Sequence, residues 1–272
     1  MKFFFRTCLN LNIDVVAGAC LNALFFAHVL KVDVSWTLLA ALGCSVWGIY
    51  TLDRIIDVAK KTPDTHRHRF HSRHRNKLLF VVAAAATICI GLLYYLPLRT
   101  VYLGAGLSGL VGVYLLIMWA LKAKQIAKEL WVAAMYSCGT ALAAFSLASS
   151  VDTPFYFLLA QHFLLALSNL LIISFYEHEI DIAQHQTSLA TGLGRKTTYR
   201  LVLFILGLVS FMALTSLYLS WFTRAHIVFL GMSGLLFLVL QNNKYFFHKE
   251  RYRFWADAAF LLPGLLIIFP NG

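Results

Sequence analysis

Long apolar runs alternate with short polar segments along the whole chain. Each run is about 20 residues long, the length that an α-helix needs to cross the hydrocarbon core of a bilayer. Turn-forming residues such as Pro97, Pro154 and Asn242 lie between runs. The pattern predicts an all-α, polytopic membrane protein with nine transmembrane helices, at roughly residues 13–32, 35–56, 77–96, 100–121, 128–150, 154–176, 200–220, 224–241 and 254–270.

The composition and the distribution of charge support this interpretation. Hydrophobic residues make up 60% of the chain and charged residues 13%, against about 25% charged in average soluble proteins. The net charge of +11 is typical of nucleic-acid-binding proteins, but its distribution is not. With a cytoplasmic N-terminus, only Lys31, Arg99 and Arg224 of the 23 Lys and Arg residues fall on the outer side. This positive-inside pattern predicts a cytoplasmic N-terminus, an outer C-terminus and no nucleic-acid partner.

Two clusters of acidic residues follow apolar runs that end on the cytoplasmic side. Asp53 and Asp57 are four residues apart, which places them on one helical face. Glu177 and Asp181 repeat that spacing at the end of the sixth run, with Glu179 between them. Such clusters are often solvated interface residues. However, the helix macrodipole disfavours negative charge at a helix C-terminus, and a carboxylate at the centre of a membrane helix costs about 2.5–3.5 kcal/mol. We therefore expect the two clusters to face each other across a cavity with a positive partner between them.

Mg²⁺ bound together with a diphosphate would supply the positive partner between the two acidic clusters. Mg²⁺ prefers oxygen ligands and usually shares a few carboxylates with substrate phosphates. We predict that Asp53, Asp57, Glu177, Glu179 and Asp181 ligate Mg²⁺, and that all of them except Glu179 are catalytic. Basic side chains near the clusters are expected to bind the remaining phosphate oxygens: Arg54, Lys60, Arg67, Arg69, Lys122, Lys124, Arg195 and Lys196. A diphosphate at the membrane edge implies a lipid tail between the helices.

The second cluster resembles a motif of the UbiA superfamily of intramembrane prenyltransferases. That family commonly shows Asp-x-Glu-x-Asp and then a small-residue segment. Here residues 177–181 read EHEID, and residues 187–194 read TSLATGLG. The family's first motif is usually Asn-Asp-x-x-Asp-x-x-x-Asp, and Asp53 and Asp57 match its last two acids. Ile49 and Tyr50 stand where the family has Asn and Asp.

The resemblance implies a UbiA-like bundle around a central cavity, formed by a single domain over residues 1–272. The inner loops 57–76 and 177–199 would form a cytoplasmic cap over that cavity. The implied activity is Mg²⁺-dependent transfer of a prenyl group from a polyprenyl diphosphate to an aromatic or lipid acceptor. A terpene cyclase and a non-catalytic lipid-binding or transport relative are the alternatives. The expected location is a bacterial cytoplasmic membrane, with multiple spans.

Single polar and aromatic residues allow more than one interpretation. Asn169, inside the sixth run, either bonds a neighbouring helix or binds the acceptor. Tyr176 either packs or stabilises an allylic cation through its ring face. Asp14 and Asp257 either border the cavity or are hydrogen-bonded structural acids. A glycine-rich fourth run predicts close helix packing at Gly104, Gly106, Gly109 and Gly112.

Overall fold

The computed structural model describes residues 11–59, 66–120, 128–184 and 187–268, and all the regular structure in these ranges is helical. Thirteen α-helices follow one another, and 3₁₀ turns at His248–Glu250 and Ala259–Leu261 flank the twelfth. They are α1 Ile13–Leu30, α2 Trp36–Ala59, α3 His66–Arg73, α4 Arg75–Leu93, α5 Leu98–Ala120, α6 Lys128–Leu147, α7 Thr153–Ala183, α8 Leu189–Leu193, α9 Arg195–Tyr218, α10 Thr223–Gln241, α11 Asn243–Phe247, α12 Arg251–Ala258 and α13 Gly264–Ile268.

Eight of these helices are long and apolar enough to span a membrane, and they coincide with the first eight predicted runs: α1, α2, α4, α5, α6, α7, α9 and α10. The protein is therefore an integral, multi-pass membrane protein. The longest span is α7, with 31 residues. At 1.5 Å per residue this helix is about 46 Å long, whereas the hydrocarbon core is about 30 Å thick. One end of α7 therefore reaches beyond the hydrocarbon, and its last turns carry the second acidic cluster. The predicted orientation in the membrane stays a prediction.

The ninth predicted run is not a continuous α-helix. Residues 251–268 form α12, a 3₁₀ turn, a two-residue turn and α13. Pro263 has no N–H to donate, and the surrounding amides bond three residues back, as in Leu262 N–H to the Ala259 carbonyl and Leu266 N–H to the Pro263 carbonyl. The prediction of nine spans is thus confirmed for eight of them, and a crossing by the ninth stays a prediction.

The centre of the bundle is α7. It packs against α6, α9, α10 and α12, and half of its apolar window (50%) is buried, against 11% for α4. Phe155, Leu158, Leu165, Leu171 and Ile172 of α7 are fully buried. The second acidic cluster therefore lies in the last turns of the most buried of the eight long helices.

The glycines of α5 do not serve close packing within this chain. A Cβ added at Gly104, Gly106, Gly109 or Gly112 would meet no atom within 4 Å. The contact of α5 with α6 uses Leu107, whose Cδ2 lies 3.6 Å from the Cβ position of Gly139. The packing prediction for the α5 glycines is wrong within the described chain, because each of them lies next to open space.

Candidate functional site

The first acidic cluster lies where the end of α2 meets the start of α6. The carboxylate of Asp53 lies 3.7 Å from the ammonium of Lys128, and both side chains are about one quarter exposed. Asp57 belongs to α2, but its side chain lies outside the described residues, as do the side chains of Arg67 and Arg69 in α3. Three further predicted phosphate ligands, Lys60, Lys122 and Lys124, lie wholly outside the described ranges. Their roles stay predictions.

The second cluster is held by contacts that the sequence did not predict. One oxygen of Glu177, Oε1, accepts hydrogen bonds from Arg253 Nε at 2.7 Å and from the Tyr252 hydroxyl at 2.9 Å. Arg253 Nη2 contacts the same oxygen. Burial is the largest single effect on the pKa of Arg253 and lowers it, but Glu177, Tyr252 and Glu250 together outweigh burial and raise that pKa above its ordinary value. Burial, and then Glu177, raise the pKa of Tyr252 as well. Arg253 therefore stays charged and Tyr252 stays protonated at neutral pH.

The other two acids of the cluster differ in their exposure. The Glu179 side chain is 76% exposed, and its described contact is with the neighbouring His178, at 3.4 Å. Asp181 is half-buried in the last turn of α7. Across the ranges that the structure describes, no three or more His, Cys, Asp or Glu side chains come together in a way able to hold a metal ion. The described carboxylates alone therefore form no cluster of three metal ligands, and the role of these acids in binding Mg²⁺ stays a prediction.

Polar side chains from five helices line a cavity of about 70 Å³ beside these clusters. An enclosed cavity of about 150 Å³ in another protein binds benzene; this one has less than half that volume and best matches a small headgroup or several waters. Its polar lining is formed by Asp14 of α1, Tyr50 and Arg54 of α2, Tyr136 of α6, Asn169 of α7, and Arg253 and Asp257 of α12. Asp14 and Asp257 thus border a cavity, which was one of the two interpretations of these acids.

The cavity wall contains hydrogen-bonding atoms without protein partners. Asn169 is 8% exposed and donates its Nδ2 hydrogen to Asp257 at 3.1 Å, so its carbonyl oxygen Oδ1 is turned away from that carboxylate. Oδ1 is buried and accepts no hydrogen bond in the described part of the chain, and Nε of Arg54 is likewise buried without an acceptor. A buried polar atom left unpaired costs about 1–3 kcal/mol. Asn169 Oδ1 is therefore an acceptor, and Arg54 Nε a donor, that a ligand in the cavity can use.

Tyr176 is fixed by packing. Its hydroxyl donates to the Val239 carbonyl at 2.6 Å, and its ring stacks on that of Tyr252 with centroids 4.5 Å apart. The ring is 3% exposed and does not belong to the cavity lining. The packing interpretation accounts for Tyr176, because one face of its ring is covered by Tyr252, the tyrosine that donates to Glu177.

Arg195 and Lys196 begin α9 directly after the small-residue segment. The chain turns at Gly194, whose φ of 81° is a conformation that glycine adopts without steric cost. The guanidinium of Arg195 lies 4.8 Å from the centroid of the Phe175 ring, and Lys196 is exposed. Neither side chain lines the cavity, and their contact with phosphate stays a prediction.

Glu129 is a buried acid that the sequence analysis missed. It lies in the first turn of α6 and is 5% exposed. Its Oε1 accepts from the Ser174 hydroxyl at 3.0 Å and from the Leu189 amide at 2.9 Å. Through these two hydrogen bonds, Glu129 connects Leu189 at the start of α8 with Ser174 of α7. A single acid after a basic loop gives no signal in the sequence that separates it from a solvated residue.

Comparisons with known proteins agree with the predicted family and fold. The model of the UbiA prenyltransferase family matches residues 15–262. The apo structure of a UbiA homolog from Aeropyrum pernix K1 is similar to this chain, with a TM-score of 0.72 and 15% identity, over 95% of this chain and 98% of that chain. At that identity the likeness shows the fold alone. No curated protein matches. Members of the family are generally prenyltransferases and typically depend on Mg²⁺. Since the family match covers nearly the whole described chain, this protein belongs to the UbiA prenyltransferase family.

Proposed function

We propose that this protein transfers a prenyl group from a prenyl diphosphate to an acceptor, at the end of the bundle where the two acidic clusters lie. The observation that carries the proposal is the family match over residues 15–262. The geometry is consistent with it, because charged residues of α2, α6, α7 and α12 meet at this end, while a large cluster of apolar side chains forms the core of the bundle.

The reaction requires a bond to break heterolytically in a place that excludes water. The C1–O bond of the prenyl diphosphate breaks with its electron pair on the diphosphate oxygen. An electron pair of the acceptor then forms the new bond to C1, and the acceptor loses a proton. Leu170 and Ile173 of α7 are apolar parts of the cavity wall, and we propose that they shield an allylic cation from water on their side.

Basic groups are proposed to stabilise the departing diphosphate. Arg195 and Lys196 follow the second cluster, and Lys128, which contacts Asp53, is about one quarter exposed. Placing cations where negative charge develops lowers the barrier to bond breaking. Lys60, Arg67, Arg69, Lys122 and Lys124 belong to the same proposal from the sequence alone.

A non-catalytic relative is a second candidate, favoured by one contact. Glu177 is engaged by Arg253 and Tyr252, and Tyr50 stands where the family has an acid. Both features remove ligands from a family-type metal site. A lipid-binding or transport protein would keep the bundle and the cavity without needing those ligands.

Turnover of isoprenoid diphosphates by the purified protein tests the proposal. The assay contains Mg²⁺, a series of prenyl diphosphates and a membrane-lipid extract as the source of acceptor, with products identified by mass spectrometry. Prenylated product that requires the extract supports prenyl transfer. A cyclised hydrocarbon formed without the extract indicates a terpene cyclase. Binding of the diphosphates with no product under any condition favours the non-catalytic relative.

A further inference from the structure

The cavity beside the acidic clusters has a polar wall whose unmet groups define a ligand. Asn169 Oδ1 requires a hydrogen-bond donor, and Arg54 Nε requires an acceptor. The described contacts of Arg253 use Nε and Nη2, so Nη1 offers a further donor along the same wall. A hydroxyl group supplies both a donor and an acceptor, which matches this set.

The charges of the wall distinguish a neutral ligand from an anionic one. Asp14 and Asp257 face the cavity together with Arg54 and Arg253, and Glu177 lies against Arg253. Within the lining, two carboxylates stand against two guanidiniums, and Glu177, which is not part of the lining, pairs with one of these guanidiniums. A diphosphate placed here would bring further negative charge next to these carboxylates and to the carbonyl oxygen of Asn169. Like charges within a few ångströms in a poorly solvated site repel strongly, so the wall disfavours an anion.

Glu177 explains why Arg253 faces the cavity. The two residues that donate to Glu177 Oε1, Tyr252 and Arg253, both belong to the first turn of α12, whereas Glu177 belongs to α7. Two nitrogens of a planar guanidinium on one carboxylate oxygen fix the orientation of its plane. The contact therefore aims the remaining nitrogen, and it occupies the carboxylate that the family resemblance assigned to Mg²⁺.

We propose that Arg253, positioned by Glu177, binds the neutral, hydroxyl-bearing end of the acceptor together with Arg54 and Asn169, and that Glu177 is therefore not a metal ligand. The proposal rests on the proposed function, which requires an acceptor substrate, and it adds the chemistry of that acceptor. The cavity volume of about 70 Å³ is less than half that of a cavity known to bind benzene. A lipid alcohol whose chain lies outside the cavity therefore fits it better than an aromatic acceptor does.

Photolabelling of the full chain in lipid nanodiscs tests the proposal. Three alkyl diazirines of equal chain length end in a hydroxyl, a carboxylate or a methyl group, and labelled positions are mapped by mass spectrometry. The hydroxyl probe is expected to label the cavity wall, at peptides containing Leu170 and Ile173, with or without EDTA. Arg253→Gln or Asn169→Leu is expected to lower this labelling by about tenfold or more, the loss that follows from removing a charge-assisted or buried hydrogen bond.

A matched control is available on the same helix. Arg251 has its guanidinium 4.7 Å from the centroid of the Tyr245 ring and does not line the cavity, so Arg251→Gln changes the same charge and should leave labelling unchanged. If Arg253→Gln fails to fold because Glu177 is stranded, the double variant Glu177→Gln with Arg253→Gln replaces the ion pair by two amides. It should fold and still lose labelling.

Specific results would overturn the proposal. Equal labelling of the wall by the carboxylate probe would show that the site accepts anions. Unchanged labelling in Arg253→Gln, or in the double variant, would exclude Arg253. In the turnover assay Glu177→Gln should leave the Mg²⁺ requirement unchanged, and a requirement raised about tenfold or more would make Glu177 a metal ligand. Labelling that depends on Arg253 in a protein without turnover would uphold the site and refute the proposed function. Turnover together with labelling that does not depend on Arg253 would uphold the proposed function and refute the site.

Discussion

Nε2 of His162 in α7 lies 2.9 Å from Oδ1 of Asn22 in α1, and both residues are completely buried. Nδ2 of Asn22 donates to the carbonyls of Gly18 and Phe260 at 2.7 and 2.9 Å. Oδ1 is an acceptor, so Nε2 carries the hydrogen and Nδ1 accepts from the Ser137 hydroxyl at 3.1 Å. One neutral imidazole and one amide thus join α1, α6, α7 and the turn after α12.

Asn22→Leu is expected to lower the free energy of unfolding by about 2–6 kcal/mol. The substitution strands the His162 N–H and the Phe260 carbonyl, and each buried unpaired group costs about 1–3 kcal/mol. Unfolding in mixed detergent micelles measures the effect. Ser168→Ala is the control, because Ser168 is equally buried in α7 but its hydroxyl has no hydrogen-bond partner in the described chain. A loss for Asn22→Leu no larger than for this control would contradict the prediction.

Asp53→Asn is expected to abolish prenyl transfer while stability changes by less than about 1 kcal/mol. Its contact with Lys128 is 3.7 Å long and partly exposed, and such surface ion pairs contribute about 0–1 kcal/mol. Turnover and the melting temperature are measured on the same preparation. Asp33→Asn makes the same change at an exposed acid between α1 and α2 and should alter neither. Full turnover in Asp53→Asn would remove this residue from the site.

Glu129→Leu is expected to increase hydrogen exchange of the Leu189 amide and its neighbours by at least about tenfold. The carboxylate accepts that amide hydrogen, and a hydrogen bond to a charged group contributes about 1.5–3 kcal/mol. Glu129→Gln keeps an oxygen acceptor at the same place and should retain most of the protection. Equal exchange in both variants would mean that the charge, and not the acceptor, holds the segment.

Gly109→Ala is expected to stabilise the protein by about 0.5–1 kcal/mol. Alanine is favoured over glycine inside a helix by roughly that amount, and an added Cβ meets no atom within 4 Å. Gly264→Ala provides the contrast, since its Cβ would lie 3.1 Å from Cδ2 of Leu21 and should give no gain. A destabilised Gly109→Ala would indicate that another molecule packs on this face of α5.

Alkaline phosphatase fusions test whether residues 254–270 cross the membrane. The enzyme is active only outside the cytoplasm. With nine crossings, a fusion after Asn242 should be inactive and a fusion after Ile268 active. Two inactive fusions would mean that α12 and α13 return to the cytoplasmic side.

The sequence predicted the eight long helices because spanning a bilayer imposes a length and a composition that a single window of residues displays. It did not predict how residues 251–268 fold. Pro263 was visible, yet whether the amides around it bond three or four residues back depends on packing against α1 and α10. The hydrophobicity of a segment reflects its free energy of transfer into lipid, and it does not depend on whether the amides bond three or four residues back.

The candidate site was predicted in part for a similar reason. The four-residue spacing correctly placed Glu177 at the end of a helix, but its partner Arg253 is 76 residues away. That pairing is a property of how α12 lies against α7. Arg253 and Asp257 share the same four-residue spacing, which was the available signal that both face one side of their helix. Glu129 offered no comparable pattern.

The contact between Glu177 and Arg253 also bears on how the protein is made. Glu177 enters the bilayer edge long before the ribosome has synthesised Arg253 and Asp257. Until then, the inserted helices hold a carboxylate without its counterion, and one wall of the cavity does not exist. Assembly of this end of the bundle is therefore a post-insertion event, completed only when the residues of α12 dock against α7.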